Sequence, residues 1–184
     1  MSREAAPPAE ADPGALPPGD TLWADRLDAL NRVVGQTVRW AVLGVMLIQF
    51  GAVVMRYVFG TSEIFVQESI LYLHAFLFML GAGYTLLHDG HVRVDIFYGE
   101  AGPRARAWVD LLGTVFLLMP TCLALIWYTL PSAINSWSIL EGPISVGGIP
   151  ASFLLKSLPP VFAGLIFIQG LAMALRAAAW LHRP

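Results

Sequence analysis

Residues 64–87 read IFVQESILYLHAFLFMLGAGYTLL, and Glu68 is the one formally charged side chain among them. A helix needs about 20 apolar residues to cross a bilayer, and this stretch exceeds that. It lacks the apolar–polar alternation of a membrane-barrel strand. Lipid also demands that backbone groups be satisfied within the segment, which a helix does by itself. The stretch therefore reads as a transmembrane helix.

Three more runs of the same kind flank it. One covers about 39–58, with Arg39 and Arg56 bracketing the apolar run Trp40–Met55. Another covers about 108–130 and carries Pro120 in its interior, and the last covers about 153–176 with Lys156 near its start. The composition agrees. Of 184 residues, 57% are apolar and 13% are charged, against about 25% charged in a soluble domain. Mean hydropathy is +0.64. A net charge of −2 gives no basic field for nucleic acid. The single cysteine, Cys122, rules out a disulfide framework. The fold class expected is an all-α integral membrane protein with four transmembrane helices.

The basic residues orient these spans. Arg3, Arg26, Arg32 and Arg39 precede span one, Arg93, Arg104 and Arg106 lie between spans two and three, and Arg176 and Arg183 close the chain. The other two connections hold only Arg56 and Lys156. Both termini are thus expected in the cytoplasm (N-in/C-in). Residues 1–19 contain Pro7, Pro8, Pro13, Pro17 and Pro18 and read as a disordered tail. Residues 20–38 read as an amphipathic interfacial helix, with Trp23, Leu27, Leu30 and Val34 on one face. That stripe suits either the lipid interface or a partner. Residues 39–176 form the membrane domain, and 177–184 a short cytoplasmic tail.

Polar groups inside spans are the natural place to look for function. Glu68 lies about five residues into span two, and Arg56 lies about one turn from the end of span one. The short hairpin can pair them, or either can point at another subunit. His74 sits six residues beyond Glu68, about 240° around the helix, so the two face different ways. His74 is expected to be neutral and hydrogen-bonded, within the bundle or to a partner. Gln49 and Gln169 suit hydrogen bonds across helices, and Gly44, Gly51, Gly81, Gly83, Gly164 and Gly170 suit close backbone approach. Pro120 and the pair Pro159–Pro160 are expected to distort their helices. The cluster His88, Asp89, His91 and Asp95 matches no standard zinc spacing. No nucleophile elbow or phosphate loop is present. No catalytic residue, metal or cofactor is expected.

Several of these positions resemble one family. Arg56-Tyr57-Val58-Phe59-Gly60, Ser62, Glu68, Gly81 and His91-Val92-Arg93-Val94-Asp95 are similar to the small, DctQ-like membrane subunit of tripartite ATP-independent periplasmic (TRAP) transporters. Trp137, Glu141, Gly147-Gly148-Ile149-Pro150, Lys156, Pro159 and Gln169 extend the likeness, which covers about 40–176. Phe65 stands where the family often has Trp. The resemblance implies a bacterial inner-membrane subunit that supports an obligate large membrane subunit. The pair would import an organic acid, delivered by a transient periplasmic binding protein, on an ion gradient. Arg56, Glu68, His91, Arg93, Asp95, Trp137, Glu141 and Lys156 are then candidates for subunit contact or for fixing the fold, with the 131–155 loop near the binding protein's dock. Two other functions are weighed beside it. A stand-alone four-helix transporter would want a carboxylate deep in span one, where only Gln49 stands. A redox-enzyme anchor would want haem histidines on two spans, and only His74 is deep.

Overall fold

The computed structural model describes residues 22–91 and 101–182. The tail 1–19 and two candidate residues, Arg93 and Asp95, lie outside the described residues. Six helices follow in order: α1 Leu22–Val38, α2 Ala41–Val58, α3 Ile64–Leu87, α4 Pro103–Gly113, α5 Met119–Ser138 and α6 Ser152–Leu181. A π-helical turn, Thr114–Leu118, joins α4 to α5. Four stretches are long and apolar enough to cross a membrane: α1 with α2, then α3, then α4 through α5, and α6. The chain is a multi-pass membrane protein.

The third span is longer than its apolar core. Pro103 opens α4 at a position whose N–H would have no helical acceptor anyway. Pro120 is accommodated just before its ring: the Met119 N–H reaches back to the Thr114 carbonyl, and the widened turn makes room. Pro131, which the sequence places at the start of a loop, lies inside α5. One lost donor does not break a membrane helix, where neighbouring bonds have no water to exchange with. The connection that follows is accordingly short, running from 139 to 151. Pro159 and Pro160 likewise lie inside α6, which continues through them to Leu181.

The helices do not close around a common interior. α2 packs on α3, α3 on α6, and α6 on α5, while α2 meets neither α5 nor α6 and α3 does not meet α5. The result is a row one helix thick. α6 is its centre and carries most of the buried side chains, including Ala163, Leu165, Ile166, Gln169 and Ala172. Gly83 and Gly170 sit against neighbouring helices, whereas Gly51, Gly81 and Gly164 face open space.

α1 lies across one face of this row, against α3 and α6. Its buried stripe is Ala24, Asp28, Asn31, Gly35 and Val38. The polar side is turned inward and the apolar side outward: Trp23 is 70% exposed and Leu30 45%. Gly35 is packed directly on the Tyr84 ring, with no room for a methyl group.

Candidate functional site

Two polar clusters occupy opposite ends of the row. The first is built from the C-terminus of α5. Leu140 takes a left-handed conformation (φ 45°) just beyond the helix. The Leu140 N–H donates to the Trp137 carbonyl at 3.3 Å and the Glu141 N–H to the Ser136 carbonyl at 3.0 Å. These two bonds form a Schellman cap. The cap folds Glu141 back over its own helix. There its carboxylate accepts a hydrogen bond from Ser136 Oγ at 2.5 Å and from Lys156 Nζ of α6 at 2.7 and 2.6 Å. Lys156, and then Ser136, hold the Glu141 carboxyl below the usual carboxylate range.

Beside this ion pair, Trp137 donates its indole N–H to Ser157 Oγ at 2.7 Å, and its ring lies 4.6 Å from that of Phe153. Ser152 Oγ donates to the Gly142 carbonyl at 2.5 Å. Both ends of the α5–α6 connection are thus tied to α6.

The middle of the connection closes over α3. Ser145–Gly148 is a turn closed by the Gly148 N–H on the Ser145 carbonyl at 2.9 Å, with Gly147 at φ 84°. That positive φ at the third turn position suits glycine. The turn aims two backbone donors at one carboxylate. Ser145 N–H reaches Glu68 Oε1 at 3.1 Å, and Ile149 N–H reaches Oε2 at 2.7 Å. Glu68 is 6% exposed. A Cβ at Gly148 would overlap the Glu68 carboxyl group, so this close approach requires glycine as well. Each oxygen has its own donor, which offsets the desolvation of the buried charge.

The second cluster joins α1 to α6. Asn31 Nδ2 donates to Gln169 Oε1 at 2.9 Å and to the Leu165 carbonyl at 3.3 Å. Gln169 Nε2 donates to Asp28 Oδ1 at 3.0 Å. Arg176 pairs with Asp28, and with Asp25 at 3.1 Å. Asn31 and Gln169 are almost fully buried. Sequence reading anticipated Gln169 as a bridging residue but placed Asp28 among the solvated positions of α1. Its signal was the spacing: Asp28 and Asn31 share a face with Ala24 and Gly35, small residues that permit close docking.

The remaining candidates are scattered. Arg56 is exposed and makes no ion pair with Glu68, whose carboxylate is occupied by the loop. The expected hairpin pair is replaced by a helix-to-loop contact because the turn after α2 is too short to swing Arg56 inward. His91 is exposed beyond the end of α3. His74 is exposed on α3, stacked on Phe78 with ring centroids 4.6 Å apart, and makes no hydrogen bond within the described chain. Among the described residues, no three His, Cys, Asp or Glu side chains meet as a metal site would require.

The family model for the DctQ component of tripartite ATP-independent periplasmic transporters matches residues 45–179. No curated protein matches the chain. No solved structure matches it either.

Proposed function

We propose a function from one fact of kinship: the chain belongs to the DctQ-component family of tripartite ATP-independent periplasmic transporters. In this reading it is the small membrane subunit of such a transporter. It supports a large membrane subunit in ion-gradient-driven uptake of an organic acid, which a periplasmic binding protein delivers. It resides in the bacterial inner membrane with both termini in the cytoplasm, and α1 rides at the cytoplasmic interface.

The observation that supports a supporting role is the open row of helices. A layer one helix thick encloses no path, and its two polar clusters are consumed in holding helices together. Glu68, Trp137, Glu141 and Lys156 are accordingly assigned to fixing the α5–α6 connection on the periplasmic side, where the binding protein arrives. His91, Arg93 and Asp95 belong to the cytoplasmic connection, and Arg56 to subunit contact.

Reconstitution tests this. The chain is purified in mild detergent with the large subunit of its transporter, and both are placed in proteoliposomes with the binding protein. Uptake that requires both membrane subunits is expected. Uptake by this chain alone would overturn the reading.

A further inference from the structure

Four polar side chains of the membrane spans are exposed and make no hydrogen bond or ion pair among the described residues: Gln49 and Arg56 on α2, Gln67 and His74 on α3. Each pair is separated by seven residues. That is about 10 Å along the axis and about 20° short of two full turns, so each pair forms one stripe.

The two stripes lie on the same side of the hairpin. Gly44 of α2 faces Leu73 of α3, and Ala52 is the buried residue of α2. Measured from that contact line, Gln49 and Arg56 are turned by about a quarter-turn in the direction of increasing residue number. Gln67 and His74 are turned from Leu73 by a similar angle in the same direction. In antiparallel helices these equal turns bring both stripes to one face. α1 rests on the other side, where Gly83 of α3 meets Asn31 and Tyr84 meets Gly35.

Depth decides what can cover this face. Gln49 is nine residues from either end of α2 (Ala41–Val58), about 13 Å along the axis. His74 is similarly central in α3 (Ile64–Leu87). Arg56 can extend to lipid headgroups, but side chains of the length of Gln and His cannot do so from the middle. Lipid tails offer them no partner. A second copy of the chain is disfavoured, since copies sharing one orientation and related by an axis normal to the membrane would set Arg56 against Arg56 at equal depth.

We propose that this Gln49–Arg56–Gln67–His74 face of α2 and α3, opposite α1, docks a transmembrane helix of the large membrane subunit that presents hydrogen-bond acceptors. The arginine has five donors and no acceptor, so the partner places a carboxylate or the carbonyl end of a broken helix opposite Arg56. Neutral amide or hydroxyl groups meet Gln49, Gln67 and His74 deeper in the membrane. The inference rests on the small-subunit reading above and specifies which face carries it.

The test places the photo-cross-linker benzoyl-phenylalanine at 49, 67 or 74, and for comparison at Leu123 or Trp127, which are exposed on α5 (54% and 78%). The full chain is expressed with the large subunit and irradiated in membranes. Cross-links to the large subunit are expected from the first set and not from the second. Cross-links from α5 alone, or equally from both sets, would overturn the assignment of the face and leave the small-subunit reading intact. Cross-links to a second copy of this chain would also overturn it. Capture of no protein by either set overturns both. In parallel, Gln49→Leu combined with His74→Leu is expected to lower co-purification of the large subunit by about 3- to 20-fold per lost hydrogen bond. The variant's own thermal unfolding in detergent stays unchanged, because neither side chain packs within the chain. Unchanged co-purification counts against the proposal.

Discussion

The carboxylate of Glu68 accepts the backbone N–H of Ile149 at 2.7 Å, so the second membrane span is anchored by the connection that follows the third. α3 and α5 do not touch. The loop therefore supplies, by hydrogen bonds to one buried side chain, a link between helices that packing does not provide.

Glu68→Gln tests this link. The glutamine carbonyl serves one of the two loop donors, while its amide nitrogen faces the other, donor against donor. We expect a loss of about 1–3 kcal/mol, the cost of a buried unsatisfied donor, read by thermal unfolding in detergent. Gly148→Ala pushes the carboxyl group off the same two N–H groups and costs a similar amount. The double variant is expected to lose clearly less than the two single losses together, because both break one interaction. Additive losses would show that Gly148 acts elsewhere.

Leu140 tests the cap of α5. A left-handed residue with a β-carbon costs about 1–2 kcal/mol, and Leu140 is 67% exposed, so little packing is at stake. Leu140→Gly should raise the unfolding midpoint by an amount equivalent to about 0.5–1 kcal/mol, part of the relief being offset by the greater chain entropy of glycine when unfolded. A marked loss of stability would mean that the leucine side chain contributes more than its geometry costs.

Acid should weaken the tie between Glu141 and Lys156. The Glu141 carboxyl titrates below its ordinary 4.5 in the folded chain. Its contribution is thus fully present above that ordinary value and is lost as pH falls through the lowered one. Thermal unfolding of the native chain, scanned downward from neutral pH, should fall more steeply below about pH 4.5 than that of Lys156→Gln, which has no ion pair to lose. Parallel curves for the two proteins would contradict the assignment.

Gln169 tests the docking of α1. It bridges Asn31 and Asp28, and both lose a partner in Gln169→Leu, although Asp28 keeps Arg176. A loss of about 1–3 kcal/mol is expected. Proteolysis should also become faster within α1, since Gly35 on Tyr84 and the Asn31 bond to the Leu165 carbonyl are the contacts left to hold it. An unaltered cleavage rate would show that α1 is held by other means.

Much of this was legible without coordinates. Apolar runs long enough to cross a bilayer can form only helices there, so the spans near 39–58 and 64–87 emerge within two residues of α2 and α3. The length of α5 was hidden because Pro131 is a loop signal in water and not in a membrane helix. Glu68 stood out as a buried charge, yet its partner did not. A backbone N–H carries no sequence signature, and the clue that it came from residues 145–149 was only the pair Gly147–Gly148. Arg56 was the nearest opposite charge in sequence and was not the partner in space.

The sequence by itself determined that this chain lives in lipid, how many times it can cross, and to which family it belongs. Those properties follow from transfer energies and residue order, which need no knowledge of packing. Only the tertiary structure decided that the helices form a row with α6 at its centre. It alone turned the polar side of α1 inward, and it left Gln49, Arg56, Gln67 and His74 facing outward on α2 and α3. Every face of a membrane helix can look equally apolar to the bilayer, so composition does not choose neighbours. Close approach at small residues and a few directed hydrogen bonds make that choice.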